Sequence, residues 1–326
     1  MFWFCNLHIQ TMTYLAITGW LFMSIGLSNI NKWVFSEEHF SYPLFLTTLH
    51  MLSSCIFGSV AIRYTPLGAA FGEGNDRLRM PPKSTLKIFI LSVVFTLAIA
   101  FGNIALQHLY ISFLKMVFAL TPLVTVGLSR LCFQRPVDSY VLMSMVPLCC
   151  GSMFCITGEV NFSIFGFVAA VAATILRALK SLLQGVLLKE QRIDSIRLLY
   201  HMSIPSFIML LIATAILEPS AIFELNIWAK ARLFGFILLS CFCAVGYNIM
   251  NFMVTFYTSP IGLQVLGNIS IVLDVIVSLV VFQNELSLLS FGGIVGVMIG
   301  TMMYQEAGTV KWFVDNRVSR SLNTYF

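Results

Sequence analysis

Charge is what this sequence has least of. Only 10% of its 326 residues are Asp, Glu, Lys or Arg, where a soluble domain carries about 25%. So few charges cannot coat a water-facing surface of this size, and an ordinary soluble fold is excluded. Acidic residues are the scarcer sign, 14 against 19 basic, for a net charge of +5. No basic run is interleaved with aromatics, so nucleic acid is not an expected partner. The eight cysteines form no Cys-x-x-Cys pair, and the five histidines show no His-Glu-x-x-His spacing. Neither a metal site nor any other cofactor is expected from them. Cys5, Cys55, Cys132, Cys149, Cys150, Cys155, Cys241 and Cys243 fall mostly in apolar stretches and read as small apolar fillers. Paired-carboxylate, Gly-x-Ser-x-Gly and P-loop signatures are missing, so the chain is not expected to be an enzyme. Residues 1–11 are too short and uncharged for a signal peptide, and the first apolar segment is expected to be retained.

What is present is hydrophobic sequence, 58% of the chain, with a mean hydropathy of +0.89. Long runs such as Leu233–Val245, apolar but for Ser240, exclude the alternating strands of a membrane β-barrel. Helices satisfy their own backbone groups in lipid, so the expected class is an all-α polytopic membrane protein. Ten apolar segments can be marked, near 12–35, 41–63, 86–107, 110–132, 137–157, 163–188, 198–217, 232–256, 260–282 and 288–306. With a cytosolic N-terminus, thirteen basic residues fall on the cytosolic side. They are Arg63, Arg77, Arg79, Lys83 and Lys87, then Arg130 and Arg135, then Lys189, Arg192 and Arg197, then Lys311, Arg317 and Arg320. The opposite side receives Lys230 and Arg232. The positive-inside rule therefore places both termini in the cytosol. Asn161-Phe-Ser163 is a glycosylation sequon on the other side, very close to the membrane.

The chain also repeats. A shift of 149 residues lays Val126, Ser129, Phe133, Gln134, Val146, Gly151 and Met153 on Val275, Ser278, Phe282, Gln283, Val295, Gly300 and Met302. The equivalent linkers reverse sign: Phe133-Gln134-Arg135-Pro136 is basic and Phe282-Gln283-Asn284-Glu285 is acidic. Five segments per half is an odd number, so the second half would enter the membrane upside down. Two inverted five-helix repeats follow, residues 1–157 (with a cytosolic loop at 64–85) and residues 158–306, then a basic cytosolic tail at 307–326. Transporters built this way hold their site at the midplane between the repeats.

Four basic side chains lie inside apolar segments: Lys32, Lys115, Arg177 and Lys180. Each costs roughly 2.5 to 3.5 kcal/mol at a bilayer centre. Asp274 is the one carboxylate at comparable depth, and reads as a counter-ion. The excess suits an anion that visits the membrane interior and leaves. Arg177, Lys180 and Gln184 are spaced i, i+3, i+7 and share a helix face. Arg grips phosphate bidentately and Lys acts as a point charge. Lys115 either faces a cavity or snorkels from its helix end. The 149-residue shift pairs Lys115 with Gln264 and Thr121 with Ser270, which a two-fold axis would bring toward one cavity. Tyr247, Asn248 and Asn251 suit sugar hydroxyls or a base, and Asn268 lies on the same apolar stretch as Gln264 and Ser270. Lys32 sits in a polar cluster with Asn29 and Asn31.

Four stretches carry a family resemblance: Ser28-Asn-Ile-Asn-Lys32, Gly102-Asn-Ile-Ala-Leu-Gln107, Arg177-Ala-Leu-Lys-Ser-Leu-Leu-Gln-Gly185 and Ser259-Pro-Ile-Gly-Leu-Gln-Val-Leu-Gly-Asn268. Over nearly its whole length the chain resembles the triose-phosphate/nucleotide-sugar translocators of the drug/metabolite transporter superfamily. Within them it is most similar to the E branch of solute carrier family 35. The resemblance implies ten helices, two inverted repeats, cytosolic termini and antiport of phosphorylated solutes. A nucleotide sugar exchanged for a nucleoside monophosphate across a Golgi or nearby secretory membrane is the expectation it favours. The chain departs from the family pattern at Ser270 and Ile271, where relatives carry basic residues, and at Phe118, where plastid members carry a lysine. Those departures, with no transit peptide, point away from plastid substrates. The alternative is a non-transporting membrane regulator on the same scaffold, with a homodimer open in either case.

The charge bias yields a direct test. Epitope tags at either terminus, or in the loop at 64–85, are expected to be accessible after selective permeabilisation of the plasma membrane. A terminal tag seen only after lumenal membranes are opened contradicts the assignment.

Overall fold

Apolar runs of about 20 residues, cut by Pro, Gly and charge, set the helix ends. The computed structural model describes residues 2–36, 40, 42–64, 82–109, 111–134, 137–155, 163–221, 231–282 and 288–322. All the regular structure among them is helical. In chain order the helices are α1 Phe2–Ser36, α2 Pro43–Tyr64, α3 Pro82–His108, α4 Ile111–Phe118, α5 Thr121–Leu131 and α6 Ser139–Cys155. Then come α7 Ile164–Gly185, running into a π-turn Val186–Glu190, α8 Ser195–Leu217, α9 Ala231–Tyr257, α10 Pro260–Phe282 and α11 Leu288–Leu322. Seven stretches among the described residues are long and apolar enough to cross a membrane: Gln10–Phe35, Pro43–Tyr64, Ser84–His108, Phe113–Leu131, Ile164–Glu190, Ser195–Leu217 and Ala231–Tyr257. Ser139–Phe154 and Pro260–Leu273 are apolar but shorter. Large side chains such as Phe22, Phe242 and Ile216 stand about 70% exposed, as a lipid-facing surface requires (74%, 68% and 71%). The chain is a multi-pass helical membrane protein.

The segment expected as one span at 110–132 is divided into α4 and α5. Pro122 is the cause. It has no N–H to give to the carbonyl of Phe118, and its ring crowds the preceding turn. Thr121 Oγ1 donates to that carbonyl instead.

The helices form two compact units. One comprises Met1–Gln107 and Leu179–Leu263, the other His108–Ala178 and Gln264–Phe326. Each draws on both halves of the sequence, so these units differ from the linear division at residue 157.

In the first unit α1 lies on α9 and α2 on α8. Gly19 faces Met250 and Gly246 faces Met23, each with its Cβ position about 3 Å from a sulfur (3.1 and 3.0 Å). Gly58 leaves room for Tyr200. Thr48 and Thr214 share a buried hydroxyl pair at 2.9 Å. Leu187, Leu188, Leu198, Leu199, Met202 and Phe252 form a core with Ile88 and Leu91. The first turn of α2 has orphan N–H groups, and the Glu218 carboxylate accepts from two of them, Leu44 N at 3.1 Å and Phe45 N at 2.9 Å.

In the second unit α6 and α11 cross backbone to backbone. A Cβ on Gly151 would lie 2.5 Å from the nitrogen of Val297, and one on Gly300 would lie 2.5 Å from the nitrogen of Leu148. Under the 149-residue shift Gly151 corresponds to Gly300 and Leu148 to Val297, so the two contacts are each other's counterpart. A Cβ on Gly296 would meet the carbonyl of Pro147, its own counterpart, at 3.3 Å.

This crossing fixes a stability test. G300L and G151L are expected to collapse the yield and melting temperature of the detergent-purified protein, because backbone cannot move aside. Gly127 has nothing within 4 Å of its Cβ position, so G127A is expected to be neutral or to gain about 0.5–1 kcal/mol. A G300L protein as stable as wild type contradicts the crossing.

Candidate functional site

The second unit carries the most informative geometry. After Pro122 breaks the helix, the carbonyl of Ala119 accepts from Asn268 Nδ2 at 3.1 Å across 149 positions of sequence. Ala119 and Asn268 are counterparts under the repeat shift. Asn268 is buried, and so are Ser270 and Thr121. Lys115, on α4, is exposed, and Gln264 is half-buried. Both belong to this unit. Arg177, midway along α7, is exposed, and its guanidinium carbon lies 3.8 Å from the centre of the Phe118 ring. Phe118 sits at the last turn before the break.

Helix α7 has two kinds of exposed face. Ile164, Val168 and Ile175 form an apolar stripe, at 73%, 60% and 42% exposure. Arg177 lies two residues beyond Ile175, or about 200° around the helix. The arginine therefore points away from the apolar stripe.

In the first unit Lys180 Nζ lies 4.9 Å from the centre of the Phe95 ring. Gln184 is fully buried, and its Nε2 donates to Asn251 Oδ1 at 3.0 Å, Asn251 O at 3.2 Å and Thr255 Oγ1 at 2.6 Å. It ties α7 to α9, while its Oε1 has no hydrogen-bond partner. Asn248 is buried and donates to Ala244 O of its own helix at 3.0 Å. Tyr247 is half-buried, with its ring 5.9 Å from Trp20. For Lys32 and Asp274 the described structure extends to the backbone, and their side chains lie outside it.

Some polar groups escaped sequence reasoning. His50 Nε2 meets Ser240 Oγ at 2.8 Å, and Ser240 Oγ donates to Asn31 Oδ1 at 2.6 Å. The single hydroxyl hydrogen goes to Asn31, so His50 donates through Nε2. This chain of bonds joins α2, α9 and α1 beside the Asn31-Lys32 pair. A cavity of about 330 Å³ opens where α2 begins and α3 and α8 end, lined by Tyr42, Leu44, Asn103, Gln107, Leu217 and Glu218. No sequence period links Phe118 to Arg177 or Ser240 to His50. An isolated His inside an apolar segment was the one legible hint.

Lys115, Arg177 and Lys180 lie inside spans of a helical membrane fold, where charged side chains mark functional sites such as solute pathways. The sequence profile of the Triose-phosphate Transporter family matches residues 11–305, and the chain belongs to that family. It is 35% identical to solute carrier family 35 member E4 of Homo sapiens over 93% of this chain and 82% of that protein. It is 34% identical to UDP-uronic acid transporter 1 of Arabidopsis thaliana over 89% of this chain and 93% of that one. A probable sugar phosphate/phosphate translocator of Arabidopsis thaliana is 33% identical over 89% of this chain and 94% of its own length. One crystal structure superposes with a TM-score of 0.68 at 16% identity, covering 91% of this chain and 97% of that one. At that identity the likeness speaks to the fold alone. These relatives are membrane transporters rather than enzymes.

The Asn268 bond can be tested by substitution. N268A leaves the Ala119 carbonyl without its donor and is expected to cost about 1 kcal/mol, read as a lower melting temperature. N268D is expected to cost more, because a carboxylate cannot donate and buries charge. Equal stability of wild type and both variants contradicts this role.

Proposed function

We propose that the protein is an antiporter of phosphorylated solutes, exchanging a nucleotide sugar for a nucleoside monophosphate by alternating access. The observation that carries this reading is the exposed Arg177, midway along an apolar helix. At that depth an exposed Arg faces either acyl chains or water. Acyl chains cost roughly 2.5–3.5 kcal/mol, and the apolar stripe of α7 points elsewhere. Water in the membrane interior means a solute pathway. Arg177 offers a planar pair of N–H groups to a phosphate, and Lys180, one turn on, offers a second positive charge.

Lys115 supplies charge to an anionic group and Gln264 hydrogen bonds to a neutral part. Tyr247 and Asn248 serve the sugar or base, Asn268 and Ser270 the lining near the helix break, and Asp274 balances charge. Ten spans in two inverted repeats complete the reading, with both termini cytosolic in a Golgi or nearby secretory membrane. Three features of the second unit support a two-fold relation between the repeats. Asn268 bonds its own counterpart at Ala119, Gly296 faces its counterpart Pro147, and the Gly151 and Gly300 contacts exchange under the same shift. A two-fold axis brings equivalent positions together in this way. The relatives' names support a phosphorylated or uronic-acid-bearing solute.

Counterflow into liposomes preloaded with UMP, GMP, CMP or inorganic phosphate, against labelled nucleotide sugars and sugar phosphates, tests the reading. At least one pair is expected to exchange. R177Q and K180Q are each expected to abolish that exchange while the protein still reaches its membrane. One lost charge-assisted hydrogen bond accounts for at least about tenfold. Unchanged exchange of every accepted solute in R177Q refutes the phosphate role.

A further inference from the structure

The cavity of about 330 Å³ where α2 begins and α3 and α8 end lies wholly in the first unit. Its volume is at the small end of the range for small-molecule sites, room for one sugar-sized ring rather than a whole nucleotide sugar. One wall is a single face of α3, where Ala100, Asn103, Ile104 and Gln107 follow the spacing i, i+3, i+4, i+7. Leu44 of α2 and Leu217 and Glu218 at the end of α8 help to close it.

This lining disfavours ions. None of the described lining residues is Lys, Arg or His. The start of α2 would attract an anion, but the Glu218 carboxylate already occupies it, accepting from Leu44 N at 3.1 Å and Phe45 N at 2.9 Å. A phosphate entering here would meet that carboxylate. A divalent cation takes about six oxygens or more, and the described residues hold no cluster of three metal-binding side chains.

A neutral polar ligand fits better. A carboxylate offers about four acceptor sites. The α2 cap takes two of them, which leaves Glu218 acceptors for hydroxyl groups. Asn103 supplies the converse. Its Nδ2 is buried with no hydrogen-bond partner among the described residues, whereas buried amides are nearly always paired. Asn103 borders the cavity, and its terminal torsion is soft. Rotation about that torsion turns the amide onto an oxygen lying there. Gln107, exposed one turn on, adds a second amide. Hydroxyl groups both donate and accept, so they suit this mixed set. Leu44, Ile104 and Leu217 suit the C–H face of a sugar ring. The Glu218 acceptor is also set in place before binding. Its own N–H donates to Thr214 O at 2.8 Å, and Thr214 pairs with Thr48 of α2 at 2.9 Å. A site already ordered in this way loses little entropy on binding.

We propose that this cavity binds the hydroxyl-rich ring of a neutral sugar, with Glu218 accepting from its hydroxyls and Asn103 and Gln107 bonding its oxygens. The site shares no residue with the phosphate contacts of the transport reading and does not depend on that reading.

Saturation-transfer NMR on the full-length protein, in phosphatidylcholine nanodiscs free of sugar-headed detergent, tests this. The probes are glucose, galactose, mannose, xylose and N-acetylglucosamine, with glucuronate, glucose 6-phosphate and methylammonium as charged counterparts. At least one neutral sugar is expected to bind, and the charged probes about tenfold more weakly. N103A removes an orphaned donor. It is expected to leave the melting temperature unchanged or raised while weakening the sugar about three- to tenfold. A purely structural Asn103 would not separate the two readouts in this way. A100L is expected to abolish binding by filling the cavity, and N103A keeps the test open if A100L folds poorly. Nanodiscs doped with glucosylceramide distinguish the source of the ring. Loss of free-sugar binding there assigns it to a lipid headgroup, and unchanged binding assigns it to a free sugar. Three results overturn the inference: no neutral sugar binds, sugar binding is unaltered in N103A and A100L, or a charged probe binds as tightly as any sugar and is lost in N103A. The transport reading stands or falls separately, on the counterflow assay.

Discussion

A guanidinium halfway along an apolar helix is the constraint from which the rest follows. The helix cannot turn Arg177 into lipid without a cost comparable to a large share of a protein's net stability. It therefore gives lipid the stripe of Ile164, Val168 and Ile175 and keeps Arg177 on the far side. An aromatic ring beneath the cation holds it in place. That ring sits where α4 ends, so the break at Pro122 and the side chains that close it bear on the charge as well as on the backbone.

The break illustrates how membrane proteins handle backbone irregularity. Interrupting a helix in lipid frees carbonyl groups that have no water to bond. Here Thr121 covers one and Asn268 covers the next. The polar residues near the break are thus divided between two tasks. Asn268, like Gln184 on α7, spends its amide on joining helices, while Lys115 and Arg177 remain exposed. The α6–α11 crossing supplies rigidity nearby, since glycines let two backbones meet and small residues are the normal means of tight packing in lipid.

Much of this was legible in the sequence. Hydropathy marked the apolar segments because helix length is tied to bilayer thickness. Positions 151 and 300, matched by the 149-residue shift, are both glycine, and each lacks a side chain at the same crossing. The spacing of Arg177, Lys180 and Gln184 correctly put them on one helix face, yet it could not say that Gln184 would be buried and bonded to Asn251 and Thr255. Burial depends on which helix lies opposite, and periodicity does not specify that neighbour. The platforms at Phe118 and Phe95 were hidden for a similar reason: one more Phe among 29 carries no signal until a cation is found above it. The division of the span at 110–132 was legible in principle, because Pro122 stands inside it. The Glu218 cap on α2 was not, since the two partners are more than 170 positions apart.

Water access at residue 177 tests the central claim most directly. In a chain whose eight cysteines are replaced, single cysteines are placed at 177 and at 175 and exposed to a charged, membrane-impermeant thiol reagent. Such reagents need a hydrated thiolate, which lipid does not provide. Residue 177 is expected to react, while residue 175 stays unlabelled. Labelling at 175 with none at 177 would place Arg177 against lipid or sealed protein and would contradict a solute pathway along this face of α7.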